Sequence, residues 1–343
     1  MRTDIVLRAR VRVGRPWKTF AWQAASHVRG SMSLEARVSA CSEISRRLDE
    51  PIVGTAPVAA SWIVLEQPGP WGRDALTESH LDPVLGDALG TASNAHGARV
   101  ALVRRPGRHP DVGDRARRVW IAATRPGRTW LLGGSVEEVA ELGSLSWTGI
   151  EAGDRSLVRA SLPVLRPETE PLLLVCTNAR RDVCCANLGR PLAAALREPL
   201  DGRVWETTHL GGHRFAPTAA LLPYGVVYGR LDPADALHVY TEAREGRQPV
   251  RGYRGRSTFG RAGQVAEAAV RRHSGADGLD DLDVAAVRER EDGSWHVLVT
   301  HRDGRQFAVE VRPVALEPPR PESCRKAAVR PVAYVADAPL RCE

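Results

Sequence analysis

The sequence predicts an α/β protein built from two copies of one unit, followed by a small C-terminal α+β region. Three observations carry this. Short runs of strand-forming apolar residues alternate with amphipathic helical segments. The order strand, helix, strand, strand, strand, helix occurs twice, with the second round starting after residue 170. At 343 residues and 43% hydrophobic composition, the chain exceeds one ordinary domain and can fill real cores.

In the first copy, 60–67 is an apolar strand stopped by the Pro-Gly-Pro-Trp-Gly loop at 68–72. Leu81, Val84, Leu85 and Ala88 give 81–91 a helical period. Strands follow at 99–104, 118–124 and 129–133, the last two joined by the turn Arg125-Pro-Gly-Arg128. Ser135 is then expected to cap a helix over 136–142, with Glu138 completing a capping box. In the second copy, 172–175 is a buried-type strand, 188–196 a helix with Pro191 in its first turn, and 204–208 a strand. The runs 219–222 and 226–228 read as a hairpin over Pro223-Tyr-Gly225. Asp232 caps a helix to about Glu245, with Pro233 at its first position. Beyond the copies, 261–273 is helical and 284–312 is a three-strand meander broken at Asp292-Gly293 and Asp303-Gly304. The Pro-rich 317–321 segment leads into a tail expected to be irregular.

Of 48 basic residues only Lys18 and Lys326 are lysine, an arginine skew expected from a GC-rich bacterial genome. The net charge of +7 invites a nucleic-acid reading, which its distribution excludes. Residues 1–31 hold seven basic residues against Asp4, or +6, which leaves +1 for 32–343 and little field to steer a polyanion. That first segment has no apolar stretch of signal-peptide type. It is expected to be a disordered extension or a mis-assigned start, with Met32 as initiator; its Arg-rich, acid-poor character also fits an organelle transit peptide, against which the bacterial composition argues. No run of eighteen apolar residues occurs, so no membrane span is expected and the location is expected to be cytoplasmic.

Six cysteines occur: Cys41, Cys176, Cys184, Cys185, Cys324 and Cys342. Without a secretory signal, clustered cysteines read as metal-binding or redox groups rather than disulfides. Cys176 and Cys185 have eight residues between them, and His209 and His213 have three, all within 38 residues. Each pair lies beside an expected strand end. Soft thiolates with imidazoles suit zinc or an iron–sulfur cluster and few other metals. Zinc knuckles hold their cysteines two to four apart, so the eight-residue loop is wide for zinc. Cys176 closes a strand, while Cys185 is expected just before a helix, where N–H groups favour an anionic sulfur. Gly211-Gly212 makes a continuous helix through the histidines unfavourable and allows a tight loop that turns both imidazoles toward one iron. The first copy has Gly69-Pro-Trp-Gly72 in place of the cysteine loop, and Arg104-Arg-Pro-Gly-Arg-His109 in place of the histidine loop. One histidine and no cysteine make no site, so that copy is expected to be structural or a docking surface. The lone Cys41, Cys324 and Cys342 are expected to be structural or incidental.

The second copy resembles the sucrase/ferredoxin-like family. The resemblance rests on Cys-x8-Cys with Arg181-Asp182 inside the loop, on His-x3-His, on Ala216-Pro217-Thr218 before a strand, and on Tyr253-Arg-Gly-Arg-Ser257. It extends over 170–270 and, more weakly, 41–165. It implies two thioredoxin-like α/β domains, the second a ferredoxin domain carrying a 2Fe–2S cluster. The implied organisation is an extension at 1–31, a degenerate thioredoxin-like domain at 32–165, the ferredoxin domain at 166–258, and a helix with β-meander and tail at 259–343. Cys176, Cys185, His209 and His213 carry over as the cluster ligands. Cys184 is an extra cysteine beside a ligand position, and Asn178-Ala179 stands where the family often has His-Gly. Pro217 is a candidate cis-proline.

The expected function is one-electron transfer to or from a partner reductase or oxidase, with no nucleic-acid or membrane partner. No flavin, nicotinamide or substrate motif accompanies the site, so a self-contained enzyme is not expected. Two other readings stand beside this: a zinc-stabilised binding module, and a thiol redox enzyme or sensor using Cys184 or Cys185.

Overall fold

A computed structural model describes residues 40–107 and 116–342. The expectations for the 1–31 extension, for Met32 and for His109 lie outside these residues. The chain is a mixed α/β protein dominated by one ten-stranded sheet.

The first copy contributes β1 (Ser61–Glu66), α2 (Pro83–Ala95), β2 (Ala98–Arg104), β3 (Arg117–Ala123) and β4 (Trp130–Val136), preceded by α1 (Cys41–Arg47). Helices α3 (Trp147–Ala152) and α4 (Arg155–Ser161) and the short β5 (Arg166–Pro167) follow. The second copy contributes β6 (Leu172–Cys176), α5 (Val183–Leu196), β7 (Val204–Thr207), β8 (Thr218–Leu222), β9 (Val226–Gly229), α6 (Pro233–Arg244) and β10 (Tyr253–Arg256). The copies pair alike. β1 runs parallel to β2 and antiparallel to β3, as β6 runs parallel to β7 and antiparallel to β8. Their edges join through β2 and β7, antiparallel, with Val103 opposite Thr207 and Arg104 opposite Glu206. The strand order is therefore β10-β9-β8-β6-β7-β2-β1-β3-β4-β5.

Strands buried on both faces read as continuous apolar runs rather than alternating ones, as Trp62–Leu65 and Leu172–Val175 do. Leu173 and Val175 pack on Leu192, Leu196 and Val239 of α5 and α6. Ile63 and Leu65 pack on Leu89 of α2 and on Ile150 and Val158. The opposite faces of both copies share one core, in which Trp62, Val64 and Trp120 meet Leu172, Leu174, Cys176 and Trp205. Trp120 and Trp205 stack edge to face at 4.9 Å. The far end of the second copy reaches back onto the first: Trp62 Nε1 donates to Ser257 Oγ (3.0 Å) and Arg256 Nε to the Thr124 carbonyl (3.1 Å). A buried ion pair sits on the seam. Arg104 donates through Nε and Nη2 to Glu206 Oε2, both at 3.0 Å, and through Nη1 to the Gly69 carbonyl at 2.7 Å.

Helix α7 (Arg261–Ser274) covers a second sheet made of β11 (Leu282–Glu289), β12 (Trp295–His301) and β13 (Gln306–Ala315), the expected meander. Three expectations are corrected. The helix expected at 136–142 is strand as far as Val136, because β4 pairs with β3 out to Arg117; a 3-10 turn follows at Val139–Ser144, capped by a Glu138–Glu141 box three residues later than expected. The helix expected from 188 begins at Val183, because Asp182 caps it by accepting from the Cys184 N–H (2.9 Å); Pro191 lies in its third turn, where it donates no helical hydrogen bond. The tail is not irregular throughout. After β14 (Arg320–Pro321) and β15 (Ala328–Val329), β16 (Val332–Ala336) pairs with β13 as a further strand of the second sheet, and β17 (Leu340–Arg341) pairs with Phe307 and Ala308. These are long-range pairings that no local pattern announces.

Candidate metal centre

Cys176 is the last residue of β6, and Cys185 is the third residue of α5, inside the helix rather than before it as expected. Asn178 shapes the loop between them. Its Oδ1 accepts from the N–H groups of Arg180 (3.1 Å) and Arg181 (3.3 Å), a side-chain turn, and its Nδ2 donates to the Gly72 carbonyl of the first copy (3.2 Å). Helix α5 crosses β6 at close range. A Cβ at Gly189 would stand 2.1 Å from the Cys176 carbonyl oxygen, so only glycine allows the helix to bring Cys185 down to Cys176.

The histidine loop follows β7. Gly211 and Gly212 take φ of +79° and +64°, left-handed values that break any helix and turn the chain back before a 3-10 turn at His213–Phe215. The imidazoles of His209 and His213 come to lie face to face, tilted, with centroids 5.0 Å apart. Two arginines fix the loop. Arg99 of β2 donates to the His209 carbonyl, and the buried Arg254 of β10 donates to the Gly211 carbonyl (3.1 Å) and to Thr55 Oγ1 (3.0 Å). The Tyr253-Arg-Gly-Arg-Ser257 stretch is thereby explained: it is a strand whose first arginine holds the histidine loop. The Ala216–Pro217 bond that follows is cis.

Cys176, Cys185 and His209 place their ligand atoms within 4.8 Å of one another. His213 stands beside His209 and turns Nε2 toward Asp182 Oδ2, 3.8 Å away. The Nδ1 atoms of both histidines are buried without a protein hydrogen-bond partner. Two orphaned imidazole nitrogens beside two buried thiols form a donor set that an iron–sulfur cluster or a soft metal ion fits, since unsatisfied buried polar atoms are otherwise costly. The centre is graded in exposure: each cysteine is 1% exposed, while the His213 side chain is 17% exposed. A cleft of about 530 Å³ opens beside the histidine loop, lined by Gly211, Gly212, Arg214, Arg261 and Tyr334 among others.

The electrostatics differ between the two thiols. Hydrogen bonds from Cys185, His209 and the Leu210 N–H draw the Cys176 thiol well below its ordinary range against the effect of burial. Cys185 is pushed well above it by the bond it gives to Cys176 and by burial. Burial, and His209 beside it, pull His213 down, toward the neutral imidazole that a metal requires.

A family model described as sucrase/ferredoxin-like matches residues 52–255, more than half of the chain, and the chain belongs to that family. No curated protein and no solved structure matches it.

The structure also gathers residues that sequence reasoning set aside. Cys41, Cys184, Cys324 and Asp182 bring their ligand atoms within 4.8 Å of one another. Cys41 and Cys324 are thus not scattered incidental residues, and Cys184 points away from the first centre toward them. Nothing local marks this: Cys41 and Cys324 are singletons 283 residues apart. Among the described residues, no helix is long and apolar enough to cross a membrane.

Proposed function

We propose that the chain is a one-electron carrier whose second copy is a thioredoxin-like ferredoxin domain, holding a 2Fe–2S cluster through Cys176, Cys185, His209 and His213. The observation that carries this is the convergence of two buried thiols with two imidazoles whose Nδ1 atoms have no protein partner. When bound, such a cluster accepts and releases a single electron. The chain's own residues set how it does so. Cys176 and Cys185 supply two negative charges where an all-cysteine site supplies four, and the histidines stay neutral. Arg254, buried and without a carboxylate partner among its hydrogen bonds, adds positive charge on the same side. Both features favour the added electron. The potential is therefore expected above the roughly −400 mV of plant-type all-cysteine ferredoxins and near the range of about −150 to +300 mV seen for two-Cys, two-His centres. The buried cysteines face the shared core, so a partner reductase or oxidase would approach at the histidine end, where the cleft beside Gly211 and Gly212 opens.

Anaerobic purification with iron and sulfide analysis tests the reading. The protein should be red-brown and hold two iron and two sulfide per chain. Cys176→Ser and Cys185→Ser should abolish assembly, because serine lacks the soft thiolate, while Cys184→Ser keeps most of it. A colourless protein with no iron, or cluster loss in Cys184→Ser with retention in Cys185→Ser, would refute the ligand set.

A further inference from the structure

Cys41 opens α1, Cys184 is the second residue of α5, and Cys324 follows β14 in the tail. The three sulfurs form a closed triangle: Cys41–Cys184 3.7 Å, Cys184–Cys324 3.2 Å and Cys324–Cys41 3.5 Å. Asp182 completes the group, its carboxylate oxygens 3.8 and 4.0 Å from Cys41 Sγ. We propose that these residues form a second, mononuclear metal site that takes Zn²⁺, separate from the Cys176–Cys185 centre.

The spacing selects this chemistry. A tetrahedral ion with Zn–S bonds of about 2.3 Å sets its sulfurs about 3.8 Å apart; the Cys41–Cys184 and Cys324–Cys41 sides lie near this, and the 3.2 Å Cys184–Cys324 side would open slightly on binding. A 2Fe–2S cluster holds two terminal ligands on each iron, so a third thiolate would sit on the other iron and stand farther away, whereas here all three sulfurs lie within 3.7 Å of one another. A disulfide joins two sulfurs at about 2.05 Å and would strand the third. Thiols are weak donors and weak acceptors, so three of them packed on one another gain little without a cation. Among the described residues the partners of these sulfurs are one another, Asp182 and Ser42, whose hydroxyl donates to Cys184 Sγ at 3.2 Å.

Asp182 has room for the fourth bond. Its Oδ2 accepts from Ser323 Oγ (2.9 Å) and the Cys324 N–H (3.0 Å), while Oδ1 accepts the Cys184 N–H (2.9 Å) and the distant Cys41 thiol (4.0 Å), whose proton a metal ion would replace. These bonds also hold the segments in place before any ion arrives. Arg230 does the same for α1, donating to the Ser45 and Glu50 carbonyls at 3.0 and 2.8 Å. Cys41 and Cys184 are buried, and Cys324 is the partly exposed member through which the ion would enter. Cys41 and Cys324 lie outside residues 52–255 while Asp182 and Cys184 lie inside, so the site would join the family's matched region to the segments on either side of it. Its effect would be to clip the N-terminal helix and the C-terminal tail to the helix that carries Cys185.

The inference does not rest on the iron–sulfur reading, and elemental analysis separates the two. The full chain should carry one zinc in addition to any iron. Cys324→Ser should lose the zinc and keep the iron, while Cys176→Ser should lose iron and keep zinc. Should Cys324→Ser fail to fold, the wild-type protein decides: stripping with a chelator and refilling with Co²⁺ should restore one equivalent with thiolate-to-cobalt charge-transfer absorption. Absence of zinc together with failure to take up Co²⁺ would overturn the proposal. So would peptide mapping that finds a Cys184–Cys324 or Cys41–Cys184 disulfide, or zinc that persists in Cys324→Ser.

Discussion

Replacing Glu206 by glutamine should weaken the whole chain, because among the described residues Glu206 is the only carboxylate bonded to Arg104 at the seam between the copies. The Arg104 and Glu206 side chains are 9% and 4% exposed, so neither is solvated by bulk water. Removing one partner of a buried pair leaves an uncompensated charge and costs about 3–5 kcal/mol. Arg104 keeps its bond to the Gly69 carbonyl and its stacking on Trp71, 4.1 Å from the ring centroid, and glutamine still accepts a hydrogen bond. The loss should therefore sit at the lower end, about 3 kcal/mol. With a urea slope of about 3 kcal/mol/M, the upper end of the usual range, the midpoint falls by about 1 M. The same carboxylate accepts from Thr177 Oγ1 at 2.9 Å, next in sequence to Cys176, so metal content should fall with stability. Urea unfolding followed by tryptophan fluorescence gives the midpoint. The double variant Arg104→Met/Glu206→Leu removes both charges and should recover most of the loss, as apolar replacements of buried pairs do. A Glu206→Gln midpoint equal to wild type would refute the argument, and a double variant as unstable as the single one would trace the loss to packing instead of charge.

Two further outcomes follow from the same reasoning. Gly189→Ala would set a Cβ 2.1 Å from the Cys176 carbonyl, so α5 must lift off β6; iron content should drop even in protein that remains folded by circular dichroism, and normal iron loading would show that the helix has slack. Glu50, almost fully buried, resists ionisation through burial, but Arg214 (2.8 Å) and Arg320 (3.1 Å) outweigh this and hold its carboxyl below the usual range. A lowered folded pKa gives stability that is present above the unfolded value of about 4.3 and lost as pH falls through the folded value. Glu50→Gln should thus be less stable at neutral pH by about 3 kcal/mol, with a shallower decline in acid, and an unchanged acid slope in thermal melts would reject the assignment.

Much of this was legible because local chemistry writes it plainly. The double strand–helix order, the Cys-x8-Cys and His-x3-His spacings and the Gly211-Gly212 break are all contiguous patterns, and the structure places Cys176, Cys185 and His209 together with His213 alongside. What was missed has no contiguous pattern. The β2–β7 pairing rests on only two residue pairs, between strands some hundred positions apart in the chain, and it merges both copies into one sheet. Helix α5 starts earlier than Pro191 in a first turn would place it, because Asp182 is the cap that forms. Arg99 looked like one of many arginines, yet its partner is the His209 carbonyl across the seam. The Cys41–Cys184–Cys324 triangle joins three remote segments, two of which looked like stray cysteines.

The seam explains why a copy without the cysteine loop is useful. A lone second copy would have β7 as a bare edge and its Trp205 face uncovered, an invitation to mispairing. The first copy closes that edge with β2, buries Trp205 against Trp120, and brings three polar contacts to the centre: Arg99 to the His209 carbonyl, the Gly72 carbonyl to Asn178, and Arg104 to Glu206, which holds Thr177. Each of these reaches one of the two ligand loops and none supplies a ligand. The loop of the first copy that stands in the place of the cysteine loop is the one whose Gly72 carbonyl accepts from Asn178 and whose Gly69 carbonyl accepts from Arg104. The cysteine-free loop of the first copy thus serves the second by supporting the loop that carries Cys176 and Cys185.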